Sequence, residues 1–285
     1  MDAKYNMTVE ENIFVAKRNI VDYIWKSARL EGINVTFPQT YAIIEKARVT
    51  GVDVDDILKI TNLKRAWQIV FDNIETPLTL DLICKIHGEV ARDEALKWGE
   101  LRTGRVYISG TEYIPPIPDK CNVEKELLRL NEIEHPTERA IETMFWGMKS
   151  QLFWDGNKRV SMLAANKIMI ENGCGIISIP NDQLEKFNDV LCDFYSNNTL
   201  SEAKKFVYDS CIDGIDFRTQ ERYNKEQDKN PQSVESLAAA ANKKYEESKK
   251  QTLSSVLKTV SQVHTELQDN PILPNKQIKN SDIER

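Results

Sequence analysis

Apolar residues in the first 217 positions recur at spacings of three and four, and the few Gly and Pro residues fall between such runs. Only an α-helix brings those spacings onto one face, because a strand alternates every second residue. The pattern therefore predicts an all-α body. Ile13, Ala16, Ile20, Tyr23, Ile24, Ser27 and Leu30 line one face of a first helix, which Gly32 ends as a C-cap. A second helix runs from Thr79 to Val90, entered through Pro77, and a third from about Thr137 to Lys149. A fourth follows Gly156 and stops at Asn172-Gly173. The exception is Arg105 to Ile114, where apolar residues alternate around Ser109-Gly110 and Pro115-Pro116 closes the segment, which predicts a β-hairpin.

Charge narrows the possible partners. The 285 residues carry 38 Lys and Arg against 44 Asp and Glu, a net charge of −6. A non-specific nucleic-acid coat draws its affinity from cations that neutralise phosphates, so no nucleic-acid partner is expected and any anion site must be local. No run approaches the roughly 18 to 20 apolar residues that cross a bilayer, so no membrane partner is expected. The acidic start also lacks the basic and apolar regions of a signal peptide. Cys84, Cys121, Cys174, Cys192 and Cys211 are odd in number and widely spaced, with no C-x-x-C. Reduced thiols in a cytosol are expected, with neither a disulfide framework nor a zinc site.

Composition shifts near Phe217. Residues 218–285 hold 12 basic and 10 acidic side chains and no Gly, and their aromatics are Tyr223 and Tyr245 alone. Within that tail Leu253, Val256, Val260, Val263 and Leu267 step by three and four, a seam of two heptads between Asn230-Pro231 and Asn270-Pro271. Such a helix either docks on its own body or offers 253–267 to a partner or a second copy. The expected organisation is an N-terminal helical region over 1–75, a core over 76–217, and a helical, partly disordered tail over 218–285.

The chemistry concentrates between the third and fourth helices, in Ser150-Gln-Leu-Phe-Trp-Asp-Gly-Asn-Lys-Arg159. At a helix start the first backbone N–H groups are unpaired, the macrodipole is positive, and Gly156 allows an anion close approach. Lys158 and Arg159 add two cations, and Asp155 supplies a carboxylate able to hold Mg²⁺ on phosphates. Together these describe a polyphosphate cradle other than a Walker loop. The competing structural account has Asp155 capping the helix and both cations in solvent.

These residues resemble the Fic/Doc (Fido) family, whose motif runs H-x-F-x-D/E-G/A-N-G/K-R. Phe153, Asp155, Gly156, Asn157, Lys158 and Arg159 fall on it in register. The resemblance extends to Trp98-Gly-Glu-Leu-Arg-Thr-Gly104 and the segment after it, which looks like the family's flap, and covers roughly residues 10 to 215. Ser27-Ala-Arg-Leu-Glu31-Gly32 has the S/T-x-x-x-E-G/N form of the family's inhibitory helix, with Ser27 and Glu31 on one face.

What the resemblance implies is a Fic-like helical bundle with a small β-hairpin flap, binding ATP with Mg²⁺ and placing AMP on a protein hydroxyl. Asp155 would hold the metal, Gly156, Asn157, Lys158 and Arg159 the phosphates, and Glu31 would occlude the γ-phosphate position. The target would lie along Arg105, Val106, Tyr107, Ile108, Tyr113 and Ile114. Three departures stand out. Gln151 occupies the place of the histidine that serves as general base, and an amide orients a hydroxyl but cannot take its proton at neutral pH. Lys158 is the form shared with the phosphotransferring Doc branch of toxin–antitoxin systems. Met162 stands where many members carry a second arginine, so either Glu31 pairs with Lys158 or Arg159 or inhibition by this helix is weakened. Impaired adenylyl transfer is the expected function, with a nucleotide- or partner-binding pseudoenzyme and Doc-like phosphotransfer as the alternatives.

Overall fold

The computed structural model describes residues 1–217. The seam at 253–267, its partner role and the whole 218–285 segment lie outside the described residues. Ten α-helices occur among those residues: α1 (Val9–Arg18), α2 (Ile20–Leu30), α3 (Phe37–Ile44), α4 (Val54–Asp72), α5 (Leu80–Val90), α6 (Lys120–Asn131), α7 (Pro136–Ser150), α8 (Asn157–Glu171), α9 (Leu184–Asn197) and α10 (Leu200–Ser210). A short antiparallel pair, β1 (Ile176–Ile177) and β2 (Ile212–Asp213), joins Ile176 to Asp213 and Ile177 to Ile212. None of the described helices is long and apolar enough to cross a membrane.

The body is helical as its periodicity predicts. The central element is α8, in which every residue from Arg159 to Ile170 is buried. A helix buried on all sides is a core helix, and this one is enclosed chiefly by α7, with α4 and α5 also against it. Residues of α2, α4, α5, α7, α8, α9 and α10 share one apolar core, including Ile24, Leu63, Ile86, Phe145, Leu163, Phe187 and Val207. The N-terminal region thus packs into the same interior as the rest.

Two local expectations change. The first helix is divided at Asn19, whose φ of −103° and ψ of 14° leave the helical region and separate α1 from α2. Asn is a weak helix former and a good cap, and the two halves have different jobs. Asn12 on α1 exchanges hydrogen bonds with the backbone of Gly175, whereas Tyr23 on α2 donates from its hydroxyl to Asp213 at 2.8 Å. The hairpin expected over 105–114 keeps its turn at Ser109-Gly110, but its arms form no strand ladder. The segment is closed at its two ends instead, by a side chain that binds carbonyls on both sides of it. Arg102 is 1% exposed and its guanidinium donates to the carbonyls of Gly104, Pro115 and Pro116, and to that of Gln151. The prolines have no N–H to pair. A side chain, in place of a facing strand, ties the two arms together.

The end of α2 is set by its sequence. Gly32, at φ +77°, donates to the Arg29 carbonyl, and Ile33 donates to that of Ala28, the paired bonds of a Schellman motif. Buried Ile33 anchors the turn. Glu31, the C-cap residue, is thereby fixed at the tip of α2.

Candidate functional site

The loop joining α7 to α8 is organised by side-chain amides. Gln151 ends α7 in the left-handed conformation, at φ 46° and ψ 60°. Its Nε2 donates to the Met148 carbonyl at 2.7 Å and its Oε1 accepts from Asn157 Nδ2 at 3.1 Å. Asn157, buried, also donates from Nδ2 to the Phe153 carbonyl at 2.8 Å and accepts from the Phe153 N–H at 2.9 Å. Its side chain therefore faces the loop, and Asn157 can offer an anion only its backbone N–H. Phe153 anchors the turn in the core, stacked on His87 with ring centroids 3.7 Å apart. Trp154 lies across Gly104.

His87 brackets the loop from α5. Its Nδ1 accepts from the Gly99 N–H at 2.9 Å, which leaves the ring proton on Nε2 to donate to the Asp155 carbonyl at 3.0 Å. Burial pulls its pKa down to about 4 despite that carbonyl, so the ring is neutral at pH 7. Both nitrogens are engaged in holding the loop, as expected of a satisfied core histidine.

At the start of α8, Gly156 is the N-cap at φ +73°, and no side chain caps the first turn. A Cβ on Gly156 would lie 3.0 Å from Val90 Cγ1 in a conformation L-residues rarely adopt. The side chain of Asp155 is 61% exposed and accepts only from its neighbour, the Gly156 N–H, at 2.6 Å. The account in which Asp155 merely caps the helix therefore does not hold. Uncapped N–H groups and the positive end of the α8 dipole converge here.

Both cations belong to the site. Lys158 Nζ donates to the Leu30 carbonyl at 3.2 Å and lies 3.6 Å from Glu31 Oε2. The negative end of α2 thus meets the positive start of α8. Arg159 Nε lies 3.9 Å from Glu31 Oε1, and both atoms are buried with no hydrogen-bond partner. Arg159 Nη1 donates to both oxygens of Glu94, at 3.1 and 3.0 Å, and to the Val90 carbonyl at 3.3 Å. Burial raises the pKa of Glu94 while Arg159 opposes the rise.

The structure therefore gathers Gln151, Asp155, Gly156, Asn157, Lys158, Arg159 and Glu31 at one place. Gly32 shapes the turn behind Glu31. Ser27, half-buried, lines a separate narrow cleft with Tyr23, Trp67 and Met162. In the 105–114 segment Arg105, Tyr107 and Ile114 are exposed, Val106 and Ile108 are half-buried, and Tyr113 lies under the Lys149 ammonium at 4.9 Å. Sequence reasoning missed Glu94, which sits in a turn after α5 where nothing in the spacing marks it as buried. Arg102, inside the matched 98–104 stretch, is a tie between backbone segments.

No cluster of three or more metal-ligating side chains occurs among the described residues. Asp155, exposed, hydrogen-bonded only to the adjacent N–H and 3.8 Å from Arg159 Nη2, is a fitting single protein ligand for a cation otherwise held by phosphates. The uncapped amides and the orphaned Arg159 Nε fit an anion beside it.

Comparison with known proteins follows the same residues. Residues 77–169 match the Fic/DOC family. Curated relatives include the protein adenylyltransferase Fic of Nematostella vectensis, 28% identical over 170 residues that cover 55% of this chain and 39% of that protein. That of Aedes aegypti is 26% identical over 186 residues, covering 61% and 37%. The chain spans about two fifths of the length of these relatives. Among solved structures, a Fic-1 fragment from C. elegans superposes with a TM-score of 0.57 at 20% identity, covering 68% of this chain and 60% of that one. A Fic domain containing signaling protein from Bacteroides thetaiotaomicron gives 0.58 at 19%, covering 71% and 85%. At such identities these two likenesses show the fold.

Proposed function

Because residues 77–169 are a Fic domain, we propose that this chain binds ATP with Mg²⁺ at the start of α8 and transfers AMP, slowly, to a hydroxyl of another protein. The observation that carries this reading is the uncapped α8 start, where Lys158 and Arg159 converge and Glu31 stands against both. Adenylyl transfer is supported by the names of the curated relatives.

Each residue has a role in this reading. The first-turn amides, Lys158 and the Nε edge of Arg159 bind phosphates. Asp155 holds Mg²⁺, which supplies charge neutralisation on the phosphates. Two cations here meet three carboxylates, Glu31, Glu94 and Asp155, so the protein alone offers little net attraction to a polyanion. A divalent cation held by Asp155 would offset that balance, so binding should depend on the metal. Glu31 occupies the anion position, and its displacement admits the nucleotide. Phe153 and the Asn157 amide keep the loop in shape. The arms of 105–114, free of a strand partner, offer backbone to an extended target segment, with Ile114 or Tyr113 against the target side chain.

Gln151 orients an acceptor hydroxyl without deprotonating it. A positioned base is worth about 10²- to 10⁴-fold, so transfer is slow and binding is unaffected. A second reading, occupancy without transfer, is favoured by one observation: the Gln151 amide already donates to Met148 and accepts from Asn157. Either activity is assigned to the cytosol, where the five widely spaced cysteines stay reduced.

A melting-temperature assay with ATP and Mg²⁺, followed by incubation of a lysate with ATP labelled at the α- or γ-phosphate, tests these readings. A rise in melting temperature that Arg159→Glu abolishes, with label transferred from α only, supports adenylylation. Transfer from γ only means Doc-like phosphotransfer, and binding with neither means occupancy alone. No shift with any nucleotide refutes all three. Glu31→Gly should tighten binding, and an unchanged affinity would remove its inhibitory role.

A further inference from the structure

The guanidinium of Arg159 is 3% exposed, and its two sides are used differently. Nη1 is saturated by the two oxygens of Glu94 and the Val90 carbonyl. Nε has no hydrogen-bond partner, and Nη2 stands 3.8 Å from Asp155 Oδ1. The Nε–H and one Nη2–H of a guanidinium project as a parallel fork, the geometry that grips a carboxylate or phosphate with two bonds. That fork faces Glu31 and Asp155 at the start of α8, while Glu94 holds the opposite corner.

Glu94 is itself held in place. Its Oε1 accepts from Asn62 Nδ2 at 3.2 Å, and the same nitrogen donates to the Arg92 carbonyl at 2.8 Å. Asn62 is fully buried on α4, and its Oδ1 accepts from Arg65. A chain of contacts thus runs from α4 through Asn62 and Glu94 to Arg159.

We infer that Glu94 is a positioning residue: it holds Arg159 from behind so that the Nε and Nη2 edge stays presented to an anion at the α8 start. The inference rests on the proposed anion site but not on which nucleotide fills it. Glu94 and Glu31 then differ in kind. Glu31 reaches the fork edge at 3.9 Å and stands where an anion would, whereas Glu94 never occupies that edge and need not move when an anion binds. Without Glu94 the guanidinium is free to rotate toward Glu31 and Asp155, and the fork is lost.

The test uses the full chain. Calorimetry measures ATP–Mg²⁺ affinity for wild type, Glu94→Ala and Glu94→Gln. Side-chain ¹⁵N NMR of arginine, assigned with Arg159→Lys, follows the Nη protons without nucleotide. Glu94→Ala should weaken binding tenfold or more and broaden the Arg159 Nη signals. Glu94→Gln, which keeps an oxygen opposite Nη1, should stay within threefold and retain them. Tighter or unchanged binding in Glu94→Ala, or unchanged Nη signals, overturns the inference. A wild type that binds no nucleotide defeats the functional reading, while the NMR comparison still decides the role of Glu94. Should Glu94→Ala fail to fold, Asn62→Ala is read the same way: weaker binding supports the role, and equal or tighter binding removes it.

Discussion

Replacing Arg102 by methionine keeps the apolar stem of a buried side chain and deletes its guanidinium. Four backbone carbonyls then lose a charged donor: those of Gln151, Gly104, Pro115 and Pro116. A hydrogen bond to a charged group contributes about 1.5 to 3 kcal/mol, so four would nominally sum to about 6 to 12 kcal/mol, comparable to the whole margin of a typical domain. Two facts reduce that figure. The Nη2 contact to Pro115 is long at 3.3 Å, and Pro116 is exposed while Gly104 and Gln151 are only half-buried, so water replaces the donor there. The remaining loss is about 3 to 5 kcal/mol, the size expected when a buried charged partner is removed. Arg102→Lys keeps a cation but cannot reach four carbonyls in a fork, and should lose about 2 kcal/mol. Urea unfolding of both variants measures the stability. Amide hydrogen exchange over 104–116 should show the segment opening before the rest of the fold. If Arg102→Met unfolds within about 0.5 kcal/mol of wild type with protection unchanged, Arg102 is not what holds this segment.

Four further outcomes are expected. His87 has a pKa of about 4 in the fold, so as pH falls from about 6.5 to 4 the unfolded chain takes up a proton that the folded one refuses, and stability falls by about 3 kcal/mol. Urea titrations without nucleotide or divalent cation, against His87→Gln, isolate that slope; parallel curves for the two proteins would contradict it. The Glu138 carboxyl, held down to about 2 by Lys204, loses its stabilising contribution in the lower window from about 4.5 to 2, so the two effects separate. Gly156→Ala, forced to φ +73° with its Cβ 3.0 Å from Val90, should cost about 1 to 2 kcal/mol and weaken ATP–Mg²⁺ binding about tenfold; a melting curve unchanged with and without nucleotide speaks against the cradle. Gln151→His should raise α-label transfer by about 10²- to 10⁴-fold, and no gain would mean that this position does not face the acceptor.

Much of this architecture is legible in a single sequence because its causes are local. Helical spacing places α5, α7 and α8 within a residue or two of their observed bounds, and Asn172-Gly173 stops α8 where expected. Positive φ at Gly32 and Gly156 follows from residue type, and with it the turn that aims Glu31 and the opening of α8. The motif residues from Gln151 to Arg159 come together because they are nine consecutive residues, a six-residue loop followed by the first turn of α8. Glu31 is marked only by the resemblance of residues 27–32 to an inhibitory helix, and it lies where the end of α2 meets the start of α8.

What the sequence left undetermined depends on partners far away along the chain. Alternation over 105–114 reads as a hairpin, yet no ladder forms there, and what holds the segment is Arg102, which ties Gly104 to Pro115 and Pro116 at its two ends. A continuous apolar stripe reads as one helix, yet Asn19 divides it because its halves dock on different elements. Glu94 carries no periodic signature, and an acid becomes a buried counter-ion only when Asn62 and Arg159 arrive from two other helices. Residue types and spacing thus determined the helices and the loop with its charges. Tertiary packing alone decided how those charges pair, because an ion pair needs two groups brought within a few ångströms and sequence separation does not encode that distance.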